Sequence, residues 1–181
     1  MGESAEERWR RAAVTGKARS HCASTLSFFH SRGIQTVSLG DRVTGEASEV
    51  AKTHGALARQ IARRGEPAKP PAALISRGEC TVTVRGGGRC TEFLLSLAID
   101  LAGLPGAHAI ACDTDGIDGS EDNAGAVLLP DSLDRAARLG LDPGKLLADN
   151  DGYGFFSRLE DLVITGPTRT NVNDYRAILI R

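Results

Sequence analysis

Apolar residues recur along the chain with periods near 3.6 and near 2 in alternation, which predicts helices interleaved with strands. From Ala18, the positions Cys22, Leu26 and Phe29 return at helical spacing until Gly33 offers a stop. Residues 34–39 then alternate as a strand does. Val50, His54, Leu57, Ala58 and Ile61 share one face of a second helix, with His54 packed on that face. The proline-rich segment 66–71 is a connector. Beyond it, residues 73–76 and 81–85 read as two short strands about a Gly78-Glu79 turn. Gly86-Gly87-Gly88-Arg89 then leads into a helix with Phe93, Leu94, Leu97, Ala98 and Leu101 on its apolar face. A strand at 108–111 runs into an acidic loop. Asp131 or Ser132 caps a helix ending near Gly140, and Asp142-Pro143 opens another. Residues 162–165 and 175–180 supply the last strands, joined by a polar loop from Gly166 to Asp174.

This alternation defines an α/β protein with a layered α/β/α architecture. The early units predict parallel crossovers, whereas the Gly78-Glu79 turn and the Gly166 to Asp174 loop predict antiparallel neighbours. A mixed, mainly parallel sheet is expected. Residues 1–17, charged and carrying the single Trp, read as a leader before one α/β domain over 18–181.

Charge narrows the function classes. A formal net charge of -1 over 181 residues argues against an electrostatic nucleic-acid binder. No apolar run is long enough to span a bilayer, and the N-terminus is too charged for a signal peptide, so the cytoplasm is expected. Cys22, Cys80, Cys90 and Cys112 are widely spaced and read as reduced thiols with structural roles.

Three loops carry the candidate chemistry. In the first, Gly86, Gly87 and Gly88 free backbone amides to form an anion-binding concavity at a helix N-terminus, and Arg89 adds forked donors suited to phosphate or carboxylate. The pattern is neither a P-loop nor a Rossmann fingerprint, and a flexible turn is the plainer alternative. In the second, residues 111–126 crowd five carboxylates, with three glycines among them, that bind a cation or polar ligand, organise a tight loop, or form a solvated turn. In the third, residues 165–174 offer threonine, asparagine and aspartate groups that read a ligand or satisfy their own backbone. Together they suit a small phosphorylated or acidic substrate with a divalent cation.

At these residues the chain resembles a known family. The order Val82 to Arg89, then Asp113 to Gly119, then Thr165 to Asp174 is similar to the MOFRL domain, the C-terminal half of class II glycerate kinases, some of which carry the name hydroxypyruvate reductase. The resemblance implies ATP-dependent phosphorylation of D-glycerate at its 2-hydroxyl, with Mg²⁺, in a cleft completed by a separate N-terminal kinase domain. On that reading Arg89, Asp113 and Asp115 are the catalytic candidates. Gly86, Gly87, Gly88, Thr114, Asn171 and Asn173 bind substrate or phosphate, and Asp113 and Asp115 hold the metal. Read from the acidic loop itself, Asp113, Asp115 and Asp118 either converge on the cation or serve as helix caps and turn braces. The chain departs from the family pattern at Arg77, Cys90, Thr91, Asn123 and Arg169. The expected partners are a small D-glycerate-like substrate and either the N-terminal domain or another copy of the chain, with no nucleic acid and no membrane. A non-catalytic binding module and a hydroxypyruvate reductase are the alternatives.

Overall fold

A computed structural model describes residues 21–83, 87–170 and 173–181, apart from the side chains of 21–24. The leader and the Gly86 and Asn171 assignments therefore lie outside the described residues. So does the side chain of Cys22.

The first helix, α1 (His21–His30), closes on the positive-φ Gly33 and leads into β1 (Gln35–Ser38). A two-residue strand, β2 (Gly45–Glu46), precedes α2 (Ala47–Arg64). In α2, Ala47, Ala51, His54, Gly55, Ala58 and Ile61 are buried, the three- and four-residue spacing of a single helical face. Gly65 ends the helix in the left-handed region, its N–H donating to the Ile61 carbonyl.

Strand β3 (Ala72–Arg77) follows, then the short β4 (Cys80–Thr81) and α3 (Arg89–Leu101). Ten residues of α3 are buried, because this helix lies against the sheet on one side and against neighbouring helices on the others. The chain continues through β5 (Ala107–Asp113), β6 (Gly125–Leu128), α4 (Ser132–Arg138), α5 (Pro143–Ala148), α6 (Gly152–Arg158), β7 (Leu162–Val163) and β8 (Asp174–Ile180).

The main sheet has the order β1-β3-β8-β5-β6-β7. Strands β1, β3, β5 and β7 run one way, with β8 and β6 against them, so the sheet is mixed with most strands sharing a direction. Because β8 inserts between β3 and β5, the ladder bonds are antiparallel everywhere except between β1 and β3.

Along β8, alternate residues serve opposite cores. Ile178 and Ile180 pack with α2, α3 and α6, whereas Tyr175, Ala177 and Leu179 pack on the face that receives Phe29 of α1. Helices on both faces give the expected α/β/α layering.

Two expected neighbour pairs are corrected. Gly78-Glu79 does not turn a hairpin: β4 leaves the main sheet and pairs in parallel with β2. The side chain of Glu46 then accepts from the Thr83 amide at 3.0 Å and its hydroxyl at 2.7 Å, which draws the expected strand 81–85 away from β3. The Gly166 to Asp174 loop joins strands that are not adjacent, since β7 lies at the edge and β8 in the middle. The missed elements are the two-residue β2, together with β6 and α6. Gly125-Ala126-Val127-Leu128 is buried throughout and shows no alternation, and α6 opens on Gly152-Tyr153-Gly154, an unfavourable helix start.

Candidate functional site

The three loops meet at the edge of the sheet where β3, β5 and β7 end and β8 begins, the position where open α/β sheets bind ligands. Asp113 ends β5 and Asp174 begins β8, and the ladder sets them directly opposite one another. Like charges so placed repel, and both are buried.

Arg89, the first residue of α3, resolves the conflict. Its Nη2 donates to Asp113 Oδ2 at 2.7 Å and to Asp174 Oδ1 at 3.2 Å. Behind Asp174 sits a second arginine. Fully buried Arg176 donates from Nη2 to Asp174 Oδ2 at 2.9 Å and to the Gly78 carbonyl at 3.0 Å, and it lies 5.3 Å from the Phe93 ring centroid. Two carboxylates and two guanidinium groups thus alternate across the strand ends. Burial pushes Asp174 up to about 6, against the pull of Arg176 and then Arg89. Burial likewise raises Asp113, helped by the charge of Asp115. The Nε of Arg89 is buried and has no hydrogen-bond partner among the described residues.

The acidic loop folds on its own carboxylates. Asp113 Oδ1 accepts from the Asp115 amide at 3.1 Å, and Asp115 Oδ1 accepts from the Ile117 amide at 2.9 Å. Asp118 corrects the expectation that three aspartates converge on a cation. It is fully buried and accepts from the Cys90 amide at 2.9 Å, the Thr91 amide at 2.9 Å and the Thr91 hydroxyl at 3.1 Å. This carboxylate occupies the helix N-terminus that the glycine loop was expected to offer to a ligand. Gly88 makes room for it, since a Cβ there would fall 2.1 Å from Asp118 Oδ2.

The polar loop packs on the acidic one. The Thr168 amide donates to the Asp115 carbonyl at 2.8 Å, and the Thr114 hydroxyl donates to the Asn173 carbonyl at 3.0 Å. Gly116 is close enough that a Cβ would fall 2.1 Å from the Gly166 carbonyl oxygen. Asn173 is exposed and, like Arg169, holds a left-handed backbone. At Arg169 the φ of 59° lies in the left-handed region, which glycine adopts most readily.

Two other departures stay clear of the loop surface: Cys90 is buried in the core, and the Thr91 hydroxyl is spent on Asp118. Cys90 therefore sits inside α3 and not in the glycine turn, and Cys80, Cys90 and Cys112 are free, buried thiols. His54 packs as expected. Its ring bonds to the Val50 carbonyl and the Ser76 hydroxyl, both at 2.8 Å, and meets Phe93 edge to face.

Among the described residues no three His, Cys, Asp or Glu side chains group as a metal cage requires. Magnesium takes only one or two protein carboxylates when phosphates supply its other ligands, and the Asp113–Asp115 pair fits that donor set. Asp118 does not.

Sequence reasoning placed Asp174 only among the polar-loop groups that read a ligand or satisfy their own backbone, and assigned nothing to Arg176. Their signal was present: opposite charges two residues apart share one face at the start of an otherwise apolar strand.

The fold and loop chemistry define an α/β domain that presents guanidinium and carboxylate groups on one sheet edge. The chain belongs to the MOFRL family, which matches residues 72–174, more than half of its length. A protein of Agrobacterium vitis with a provisional hydroxypyruvate reductase name is 50% identical over 153 residues, covering 82% of this chain and 35% of that one. The D-glycerate 2-kinase of Thermotoga maritima is 35% identical over 164 residues, covering 89% and 39%. The crystal structure of Thermotoga maritima glycerate kinase superposes with a TM-score of 0.86 at 34% identity, covering 92% of this chain and 41% of that one. The chain thus spans about two-fifths of the length of such relatives. Among the described residues no helix is long and apolar enough to cross a membrane.

Proposed function

We propose that this chain forms the MOFRL half of a D-glycerate 2-kinase, whose three-loop edge holds the substrate during ATP-dependent phosphorylation of its 2-hydroxyl. The observation that carries the reading is Arg89. Its guanidinium is pinned through one nitrogen by Asp113 and Asp174, with a buried Nε unpartnered among the described residues. It stands at the ligand edge of a sheet whose fold matches a glycerate kinase.

Phosphoryl transfer asks a protein mainly to position an in-line hydroxyl and to offset phosphate charge. Arg89 holds the substrate carboxylate or the transferring phosphate through its free donors. Thr114, Asn171 and Asn173 orient the substrate, and the backbone of Gly87 and Gly88 shapes the wall beside it. ATP supplies the phosphoryl group. Asp115 and Asp113 are the carboxylates that would hold a magnesium ion carried on the ATP phosphates, where the ion would offset their charge. The partner is the remainder of the kinase, which supplies the opposite wall of the cleft.

The test is a chimera. The matching segment of Thermotoga maritima D-glycerate 2-kinase is replaced by this chain, and ATP-dependent 2-phosphoglycerate formation is followed. Turnover is expected, with Arg89→Ala lowering kcat/KM by at least about 100-fold. A folded chimera without turnover, or one indifferent to Arg89→Ala, favours the non-catalytic module. The provisional name of the Agrobacterium vitis relative motivates one control, nicotinamide oxidation with hydroxypyruvate in the absence of ATP.

A further inference from the structure

Helix α3 begins without a cap of its own. Gly88 occupies the N-cap position with extended dihedrals and no side chain to offer. Asp118, thirty residues further along, supplies the cap to the second and third residues of the helix, Cys90 and Thr91. Its own N–H donates to the Asn123 carbonyl at 2.7 Å, which anchors the far end of the acidic loop. Gly119 lies against Gly88, where a Cβ would stand 3.2 Å from the Gly88 Cα, so loop and helix end are in backbone contact. The same loop starts at Asp113, the partner of Arg89. A six-residue segment therefore grips the first turn of α3 twice, by the Arg89 side chain at one end and by two amides at the other.

We propose that Asp118 is a positioning residue for Arg89: by capping α3 from the acidic loop, it fixes the depth and rotation at which Arg89 meets Asp113 and Asp174. The proposal rests on the reading of Arg89 as the ligand-holding arginine. A local cap would satisfy the amides equally well but leave the helix end free to shift against the loop. A cap from the loop ties the two together. The carboxylate is also an anion carried by the protein itself, so its removal opens a pocket of carboxylate size lined by two unpaired amides, beside a Thr91 hydroxyl that also reaches the Gly88 carbonyl at 3.1 Å. A free carboxylate of that size should then substitute for it.

The experiment uses the full chain with ¹⁵N-labelled arginine, in which the guanidinium resonances of Arg89 are assigned by Arg89→Lys. Hindered rotation of the Nη groups reports the grip of Asp113 and Asp174. Arg135, paired with Asp161, is the internal reference. Asp118→Ala is expected to lower Tm by about 5 °C and to abolish the hindered rotation of Arg89 but not of Arg135. Sodium formate should restore both Tm and the Arg89 signature, and sodium chloride at equal ionic strength neither.

A folded Asp118→Ala protein with an unchanged Arg89 signature would reduce Asp118 to a plain cap and overturn the proposal. So would a loss that formate leaves unrepaired. If Asp118→Ala does not fold, Asp118→Asn decides. It keeps the volume and the acceptor to Cys90 but turns a donor toward Thr91, so a weakened Arg89 signature supports the proposal and an intact one overturns it. None of these readouts needs ligand or turnover. A dead chimera with a formate-rescued Arg89 signature would fail only the proposed function.

Discussion

At the scale of single residues, the buried ionisable groups carry opposing pH dependences. His54 is buried, and burial pulls its pKa down to about 4 from an ordinary 6.5. The unfolded chain therefore binds a proton there between those values that the folded chain refuses. The stability from neutral His54 is complete above 6.5 and is lost as pH falls toward 4, up to about 3 kcal/mol. Glu92 runs the other way. Burial raises it to about 6, against a hydrogen bond from Asn150, and its Oε2 is unpartnered among the described residues. Its contribution is present below the ordinary carboxylate range and is lost as pH rises through 6. Urea titrations of His54→Gln and Glu92→Gln should separate the two. Relative to wild type, His54→Gln should lose its disadvantage as pH is lowered from 6.5 to 4. Glu92→Gln should gain by about 2 kcal/mol as pH is raised past 6. Curves parallel to wild type over these windows would show that neither group is held in its disfavoured form.

At the scale of elements, the periodic pattern sufficed wherever one face of a segment is buried. The apolar stripe of α2, including His54, placed that helix directly. The pattern failed at β6, a four-residue strand buried throughout with no alternation, and at α6, whose start has poor helix propensity. Long-range carboxylates were the other blind spot. No local rule predicts that Glu46 would satisfy Thr83 or that Asp118 would cap α3, because both choices are made by chain segments far apart in sequence. Close helix packing was equally hidden. Gly152 lies so near α3 that a Cβ would stand 2.8 Å from the Thr91 carbonyl carbon, a backbone atom that cannot swing away. Helix propensity alone would make Gly152→Ala stabilising by about 1 kcal/mol. Overpacking against α3 should reverse the sign and cost about 1–3 kcal/mol. Chemical denaturation of the variant checks this, and a stabilised Gly152→Ala would mean that α6 sits further from α3 than described.

At the scale of the whole molecule, the sheet is covered on both faces, so its two cores do not depend on a further domain for burial. The loop edge is different. Ile117 and Ile164 are 41% and 63% exposed there, next to carboxylates whose charges oppose one another. A wall of that kind can hold an anion through Arg89 without enclosing it. Enclosure matters for phosphoryl transfer, because excluding water strengthens each electrostatic contact with the transferring group. The 181-residue chain alone should therefore fold and bind D-glycerate weakly. Its turnover should lie at least about 1000-fold below that of the chimera, the loss expected when positioning and water exclusion are both absent. Adding Mg²⁺ to the isolated chain should raise Tm beyond what NaCl of equal ionic strength achieves. The gain should disappear in Asp113→Asn/Asp115→Asn, which removes the repelling charges at constant volume. Calorimetry with D-glycerate, thermal melts with both salts and a coupled ADP assay test these outcomes together. Full turnover by the purified, monomeric chain would show that a single wall is enough and that the Arg89 edge closes on its substrate unaided.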